Sequence, residues 1–496
     1  MSGSILKSYK LLILVSLLAA FLVFFRIGSQ SLWLDEGLTL NIARNWDHMW
    51  YILGHSEPYM WTYMVLLHYW MKLGVSEGYL RGLSALFAIG TIPFMYALGR
   101  KLFGSSVGIM AALLLSINTF FVRYAQEIRA YSLLVLFSTI LSYLYILMLE
   151  NPTRTRRVGY IAIASLSIYT HQFAVFVILS HLISLFFIKN ITKTLGFIFP
   201  LLTGIGLFCF PLLFIRVPLL SETSWIDLPK LSDIYNFTIT LAGGNQLLLL
   251  VESLTIVSGF VYFLKKRNKA HSLQSWPYIF TVSLLFIPII LVILVSYAYR
   301  PIFVPRYLII SVVPFILLTS YGVVSMGRMS RFIILIVILI GSAAALLGWY
   351  GYYSSENAVN PILQVKDDWR GATNYVLSHA SRTDAVFFYP YYIRVPFDYY
   401  ADRYSKSNTA LSLPSVLELA SDQYTVDGMM PEPNGSLIRA VAGRSPQVWL
   451  VLSRNKSVRL KRKQQTEQIQ SMLEKYYLVG ERIAFTNIEV LKYIRL

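Results

Sequence analysis

The chain has 496 residues, 56% of them hydrophobic and 14% charged, with a mean hydropathy of +0.57, values that exclude an ordinary soluble globular protein. A formal net charge of +18 would suggest nucleic acid in a water-soluble protein. Here the basic residues sit in short loops between apolar stretches, where they orient helices in a bilayer, so no nucleic-acid partner is implied.

From the N-terminus, Lys7 and Lys10 precede an apolar run to Phe25. The run continues past the small pair Ala19-Ala20, which predicts an uncleaved first span rather than a removed signal peptide. Stretches long enough to cross about 30 Å of hydrocarbon recur throughout the first 350 residues. Eleven spans are predicted, near 9–26, 80–99, 107–122, 130–149, 158–173, 174–188, 194–215, 246–264, 277–298, 306–325 and 332–352. Only Thr170, His171 and Gln172 separate the fifth from the sixth. Between the first two spans, a loop over about 27–79 is rich in tryptophan and tyrosine, which predicts two interfacial helices near 37–51 and 58–73. The lone cysteine, Cys209, falls in the seventh stretch and excludes a disulfide framework or a cysteine metal cluster.

With the N-terminus cytoplasmic, the inward loops hold Arg100-Lys101, Arg154, Arg156-Arg157, Lys265-Lys266 and Arg328. The outward loops then hold most acids of the membrane part, including Asp35, Glu36, Glu57, Glu127, Glu222 and Asp233. That separation obeys the positive-inside rule, and an odd number of spans leaves the C-terminus outside. From about 353 the chain is more charged and changes rhythm. It predicts a helix over Trp369–Ala380, strands over Ala385–Tyr389 and Val448–Leu452, and a helix over Gln464–Tyr476. The fold class expected is an α-helical polytopic membrane protein, with a membrane domain over 1–352 and a small extracytoplasmic α/β domain over 353–496. There is no internal repeat or low-complexity segment.

Three places carry candidate chemistry. Adjacent carboxylates at Asp35-Glu36, beside an apolar surface, suit a base toward an acceptor hydroxyl and a group that orients it. Equally, Asp35 could cap the helix that starts near Gly37, with Glu36 in its first turn. Glu127 and Arg129 lie at the outward turn between the third and fourth spans, where they form an ion pair or serve a site. Arg306, outward and against the orientation rule, either snorkels to the interface or holds a phosphate with its fixed fork. Two histidines, His55 and His171, face outward near these acids and suit hydrogen bonds to a phosphate or a loop carbonyl. His55 and Glu57 lack the further ligands that a metal site needs, so metal dependence stays open and no cofactor is implied. The basic run from Arg454 to Lys463 reads as a solvated surface or a contact for anionic lipid or glycan.

These segments, in this order and sidedness, resemble the GT-C superfamily of integral membrane glycosyltransferases. The similarity is strongest to family 39 relatives of protein O-mannosyltransferases and of the lipid A aminoarabinose transferase. It rests on Asp35-Glu36; on Ser76-Glu77 to Arg81, running to Tyr96 through Gly104; on Gln126 through Tyr131; on Arg306-Tyr307; and on Asp368-Trp369-Arg370. The resemblance implies an inverting transferase that moves a sugar from a polyprenyl-phosphate carrier to a glycan, lipid or protein hydroxyl outside the plasma (inner) membrane. It implies Asp35 as base, Glu36 and Glu127 as residues that order the base or acceptor, and Arg306, Arg129 and His171 at the donor phosphate. In many relatives a paired-proline or Lys-Pro-Pro segment precedes the second interfacial helix, whereas this chain reads Ser56-Glu57-Pro58-Tyr59, so Glu57 receives no role. The alternative is a transporter or flippase of a lipid-linked glycan, which would carry ionisable groups within its spans. A glycan-binding scaffold would leave the outward charges of the membrane part without purpose.

Overall fold

A computed structural model of the full chain describes residues 2–55, 60–187, 191–214, 226–267, 275–351, 366–390, 393–407, 415–418, 435–453 and 460–496. Glu57, Glu222 and the basic residues Arg454, Lys456 and Arg459 lie outside the described residues.

Helices dominate the first 350 residues: α1 (Ser2–Phe24), α2 (Leu34–Arg44), α3 (Trp46–His55), α4 (Trp61–Met71), α5 (Glu77–Phe103), α6 (Ser105–Ile117), α7 (Thr119–Ala125) and α8 (Tyr131–Glu150). They continue as α9 (Arg154–Thr170), α10 (Ala174–Ser184), α11 (Ile191–Cys209), α12 (Leu231–Leu241), α13 (Gln246–Arg267), α14 (Trp276–Ala298), α15 (Val312–Ser325) and α16 (Arg328–Trp349). The remainder alternates: α17 (Trp369–His379), β1 (Ala385–Tyr389), α18 (Arg394–Ser407), β2 (Ser415–Glu418), α19 (Gly435–Ala442), β3 (Gln447–Ser453), α20 (Leu460–Glu474), β4 (Tyr477–Phe485) and β5 (Ile488–Arg495).

The chain divides into two compact units. The first comprises Met1–Ile27, Trp46–Pro218 and Trp225–Gln364, and the second Gly28–Asn45, Leu219–Ser224 and Val365–Leu496. Among the described residues of the first unit, seven helices are long and apolar enough to cross a membrane, or eight if the bent pair α6–α7 is one span. A helix stands in each of the eleven expected stretches, but among the described residues not all eleven are long and apolar enough to be full spans. α9 has 17 residues, of which the first turn holds Arg154, Arg156 and Arg157, and the apolar helices over Ala174–Phe187 and Ile198–Leu212 are short. The expected third span is broken by a 62° bend between α6 and α7. There Asn118 turns its side-chain oxygen to the Phe121 N–H at 3.0 Å and its Nδ2 to the Leu241 carbonyl at 2.9 Å, which caps α7 rather than continuing α6.

Close backbone approach holds α5 on α6. A Cβ at Gly108 would lie 2.6 Å from the Tyr96 carbonyl oxygen and 2.8 Å from the Arg100 nitrogen, so no larger residue fits without parting the helices. Deep in the same unit, His181 is hydrogen-bonded through both ring nitrogens, to Tyr160 at 2.9 Å and Ser142 at 3.1 Å, and stacks on Tyr145 at 4.4 Å. Such a satisfied ring is structural.

Three helices, not two, occupy the segment where interfacial helices are expected. The backbone is extended at Asn45 (φ −112°, ψ 123°), which ends α2 before Trp46 opens α3. This break coincides with the border between the units. α3 and α4 join through aromatic edges, Trp46 with His68 at 5.0 Å and Trp50 with Trp61 at 5.2 Å, while Tyr51 and Tyr69 stay exposed. That amphipathic pattern suits a membrane interface.

The second unit is a small α/β domain. Its sheet has the order β2-β1-β3-β5-β4, with β1 parallel to β2 and β3, and β5 antiparallel to β3 and β4. All five residues of β1 are buried, as their continuous apolar run requires of a central parallel strand. Asn487, at φ 58°, makes the tight turn from β4 to β5, a conformation asparagine tolerates.

Candidate active site

In the first unit, the site is built around the turn Gln126–Ala130 between α7 and α8. Gln126 anchors it. Its Nε2 donates to the Val23 and Phe25 carbonyls at 2.8 and 2.9 Å, and its Oε1 accepts from Trp349 Nε1 at 2.8 Å, so the turn is tied to the ends of α1 and α16. On its other flank, the Arg129 carbonyl accepts from Ser84 Oγ at 3.2 Å, and Ser84 is bonded to the Tyr63 hydroxyl at 2.9 Å. Glu127 is fully buried and lies 3.5 Å from Arg123 Nε, one helical turn earlier. Arg123 also stacks over Trp349, 5.4 Å from the ring centroid. Glu127 is therefore paired with Arg123, a pairing that the i,i+4 spacing would have allowed a reader to find.

Arg129 lies over the Tyr131 ring at 5.8 Å and Arg306 over the Tyr307 ring at 5.5 Å. Those two tyrosines and His171 form an aromatic cluster, with His171 to Tyr307 at 4.9 Å and Tyr131 to His171 at 6.3 Å. Arg306 is held in a 3-10 turn, Pro305–Ser311, where Pro305 supplies the fixed first φ and Tyr307 N–H closes on the Val304 carbonyl at 2.9 Å. Arg129, Arg306 and His171 are thus brought together.

His171 lies in the connection between α9 and α10, outside both helices, because α9 ends at Thr170 rather than at 173. Burial, then the charges of Arg129 and Arg306, push its imidazolium down to about 3. The ring is consequently neutral. Its Nδ1 accepts from the Phe173 N–H at 3.2 Å, which leaves the proton on Nε2. His171 therefore offers a neutral N–H donor beside two guanidinium groups. In a protein labelled on histidine nitrogen, the His171 resonances are expected to keep neutral-tautomer shifts from pH 8 down to about pH 5, whereas an ordinary histidine protonates near 6.5. A midpoint between pH 6 and 7 would show that the ring is solvated and the cluster open.

Asp35 and Glu36 belong to the second unit. The capping function open to Asp35 falls instead to its neighbour. Trp33 is the N-cap of α2, and Glu36 reaches back to the Trp33 N–H at 3.4 Å in the manner of a capping box. Asp35 stays half-exposed, with its backbone carbonyl accepting from Thr39 Oγ1 at 2.7 Å. Glu36 is fully buried and pairs with Lys366 at 3.2 Å. Sequence reading misses Lys366 because 330 residues separate the partners.

His55, by contrast, turns its Nδ1 to the carbonyl of Tyr51, one turn earlier in α3, at 2.8 Å and stacks on that ring. Among the described residues no group of three or more His, Cys, Asp or Glu side chains could hold a metal ion.

Residues 56–215 match a family model described as dolichyl-phosphate-mannose-protein mannosyltransferase. The whole chain superposes on ArnT from Cupriavidus metallidurans, in the apo state (TM-score 0.58) and bound to undecaprenyl phosphate (TM-score 0.59), each at 11% identity and covering 97% of both chains. This chain carries the GT-C fold. The same GT-C architecture relates it to the oligosaccharyltransferase of Archaeoglobus fulgidus, tethered there to an acceptor peptide (TM-score 0.55, 10% identity, 97% of this chain and 74% of that one). No curated protein sequence matches significantly. With this fold and its apolar helices, the chain is a multi-pass membrane protein.

Proposed function

We propose that the chain is an inverting glycosyltransferase that moves a sugar from a polyprenyl-phosphate donor to an acceptor hydroxyl on the extracytoplasmic face of the plasma membrane. The observation that carries this reading is the cluster of Arg129, Arg306 and the neutral His171 N–H, an anion-binding set within a GT-C fold. ArnT, of the same fold, holds undecaprenyl phosphate, and a lipid phosphate is the donor chemistry this set would recognise. The N-terminus is taken as cytoplasmic, following the basic loops, with the membrane domain over 1–352 catalytic and the α/β domain over 353–496 outside.

In the proposed reaction Asp35 takes the proton of the acceptor hydroxyl as its oxygen attacks the anomeric carbon from the face opposite the phosphate. The bond from that carbon to the phosphate oxygen breaks, and its electron pair leaves with the polyprenyl phosphate. The phosphate gains a negative charge, which Arg129, Arg306 and the His171 Nε2–H accommodate. One displacement gives an inverted anomeric configuration. Glu127, ion-paired with Arg123, orders the turn that carries Arg129, and Glu36 orders the turn that carries Asp35.

Purified protein in proteoliposomes is expected to release free polyprenyl phosphate from a polyprenyl-phosphate sugar in the presence of cell-envelope acceptors, with the sugar recovered on the acceptor. A flippase would instead move intact lipid-linked sugar between leaflets and release no free carrier. That outcome would replace this reading.

A further inference from the structure

We propose that Lys366 is a positioning residue of the transfer reaction, holding Glu36 ionised and thereby fixing the turn that presents Asp35. The inference rests on the reading of Asp35 as base.

Three anchors from the C-terminal part of the second unit converge on residues 28–37. Lys366 Nζ lies 3.2 Å from Glu36 Oε2, and both side chains are removed from solvent, 5% and 0% exposed. The Tyr400 hydroxyl accepts from the Leu32 N–H at 2.8 Å and meets Ser31 Oγ at 3.1 Å. Arg370 donates from its guanidinium to the Gly28 and Ser29 carbonyls at 3.0 and 3.3 Å, and from its backbone N–H to Ser31 Oγ at 2.9 Å. Helix α2 itself lies tight on α18, where a Cβ at Gly37 would come within 3.3 Å of the Pro396 nitrogen. Asp35 therefore sits between a clamped turn segment and a buried ion pair.

Cohesion alone does not explain the pair. A buried salt bridge contributes little net stability compared with apolar residues of similar volume, whereas removing one partner leaves a buried charge uncompensated. Other charged groups are near. Asp35 and Arg44 share α2; Asp367, pushed up by burial, and Arg370 flank the start of α17; α18 brings Arg394, Asp398, Asp402 and Arg403. Arg44 is turned to Asp402 at 2.8 Å and Arg394 to Asp398 at 3.0 Å, while Lys366 places a cation at Glu36. Without Lys366, the buried Glu36 carboxylate loses the cation 3.2 Å from it, and the burial that remains favours its protonated form, which releases the turn.

Steady-state transfer by the full-length protein in proteoliposomes tests this. Lys366→Met is expected to lower kcat at pH 7 by about a hundredfold with donor KM nearly unchanged, the scale of a small misplacement of a reacting group. Its acid limb should move up by at least about one pH unit, so that part of the rate returns above pH 8. Lys366→Arg should keep most of the rate and the original limb. Glu36→Gln/Lys366→Met, with the charges removed together, should fold and stay slow even if Lys366→Met does not fold. Wild-type rate and limb in Lys366→Met, or recovery of rate in the double variant, overturns the proposal. Absence of transfer by the wild-type protein instead removes the glycosyltransferase reading, and this inference with it.

Discussion

Asp35→Asn is expected to reduce turnover by about a thousandfold while leaving donor binding within a few-fold of wild type, the range for loss of a general base. The side chain is half-exposed on the first turn of α2 and is not the N-cap, so its replacement does not remove a cap. Asn keeps the volume and hydrogen-bonding reach of Asp but cannot accept the proton of an attacking hydroxyl. The loss of a negative charge at a helix N-terminus contributes a stability change within about 1 kcal/mol. Melting in detergent and donor KM provide the controls. Transfer at more than a third of the wild-type rate would remove Asp35 as the base and direct attention to Glu127.

The second large effect is expected at Arg306. A polyprenyl-phosphate sugar is a phosphodiester with one negative charge, and the departing polyprenyl phosphate approaches two. A cation beside it therefore stabilises the transition state more than the bound donor. Arg306→Gln is expected to lower kcat by about a hundredfold and to raise donor KM by less than about tenfold, and Arg306→Lys to recover only part of the loss because the planar fork is gone. Affinity for the product polyprenyl phosphate should fall more than affinity for the donor. A rise in KM with kcat unchanged would mean that Arg306 only anchors the lipid, as snorkelling to an interface would.

How legible the site was depended on the range of its interactions. Arg129 and Tyr131 follow Glu127 within one turn, and the outward position of Arg306 runs against a charge rule that can be applied to sequence alone. Arg123 stands four residues before Glu127 and directly after the expected third span, 107–122, so the i,i+4 pairing was open to a reading of the sequence that attended to Arg129 instead. The bend at Asn118 was not legible, since the Asn118 side chain bonds the Leu241 carbonyl, 123 residues away. The α/β domain was legible where apolar runs are continuous, at β1 and β3. It was not legible at β4, whose residues are largely exposed and which is a strand because β5 pairs with it.

By itself the sequence determined a helical membrane protein, its short basic loops, an α/β tail and the residue types an anion site needs. Hydropathy over some twenty residues and local charge are properties of a segment and need no knowledge of its neighbours. Only the tertiary structure decided that Gly28–Asn45 packs with the C-terminal residues, that Lys366 neutralises Glu36, and that His171 is a neutral donor beside Arg129 and Arg306. Those outcomes arise from burial and charge between residues far apart in the chain, and desolvation acts on a group only once its surroundings have assembled.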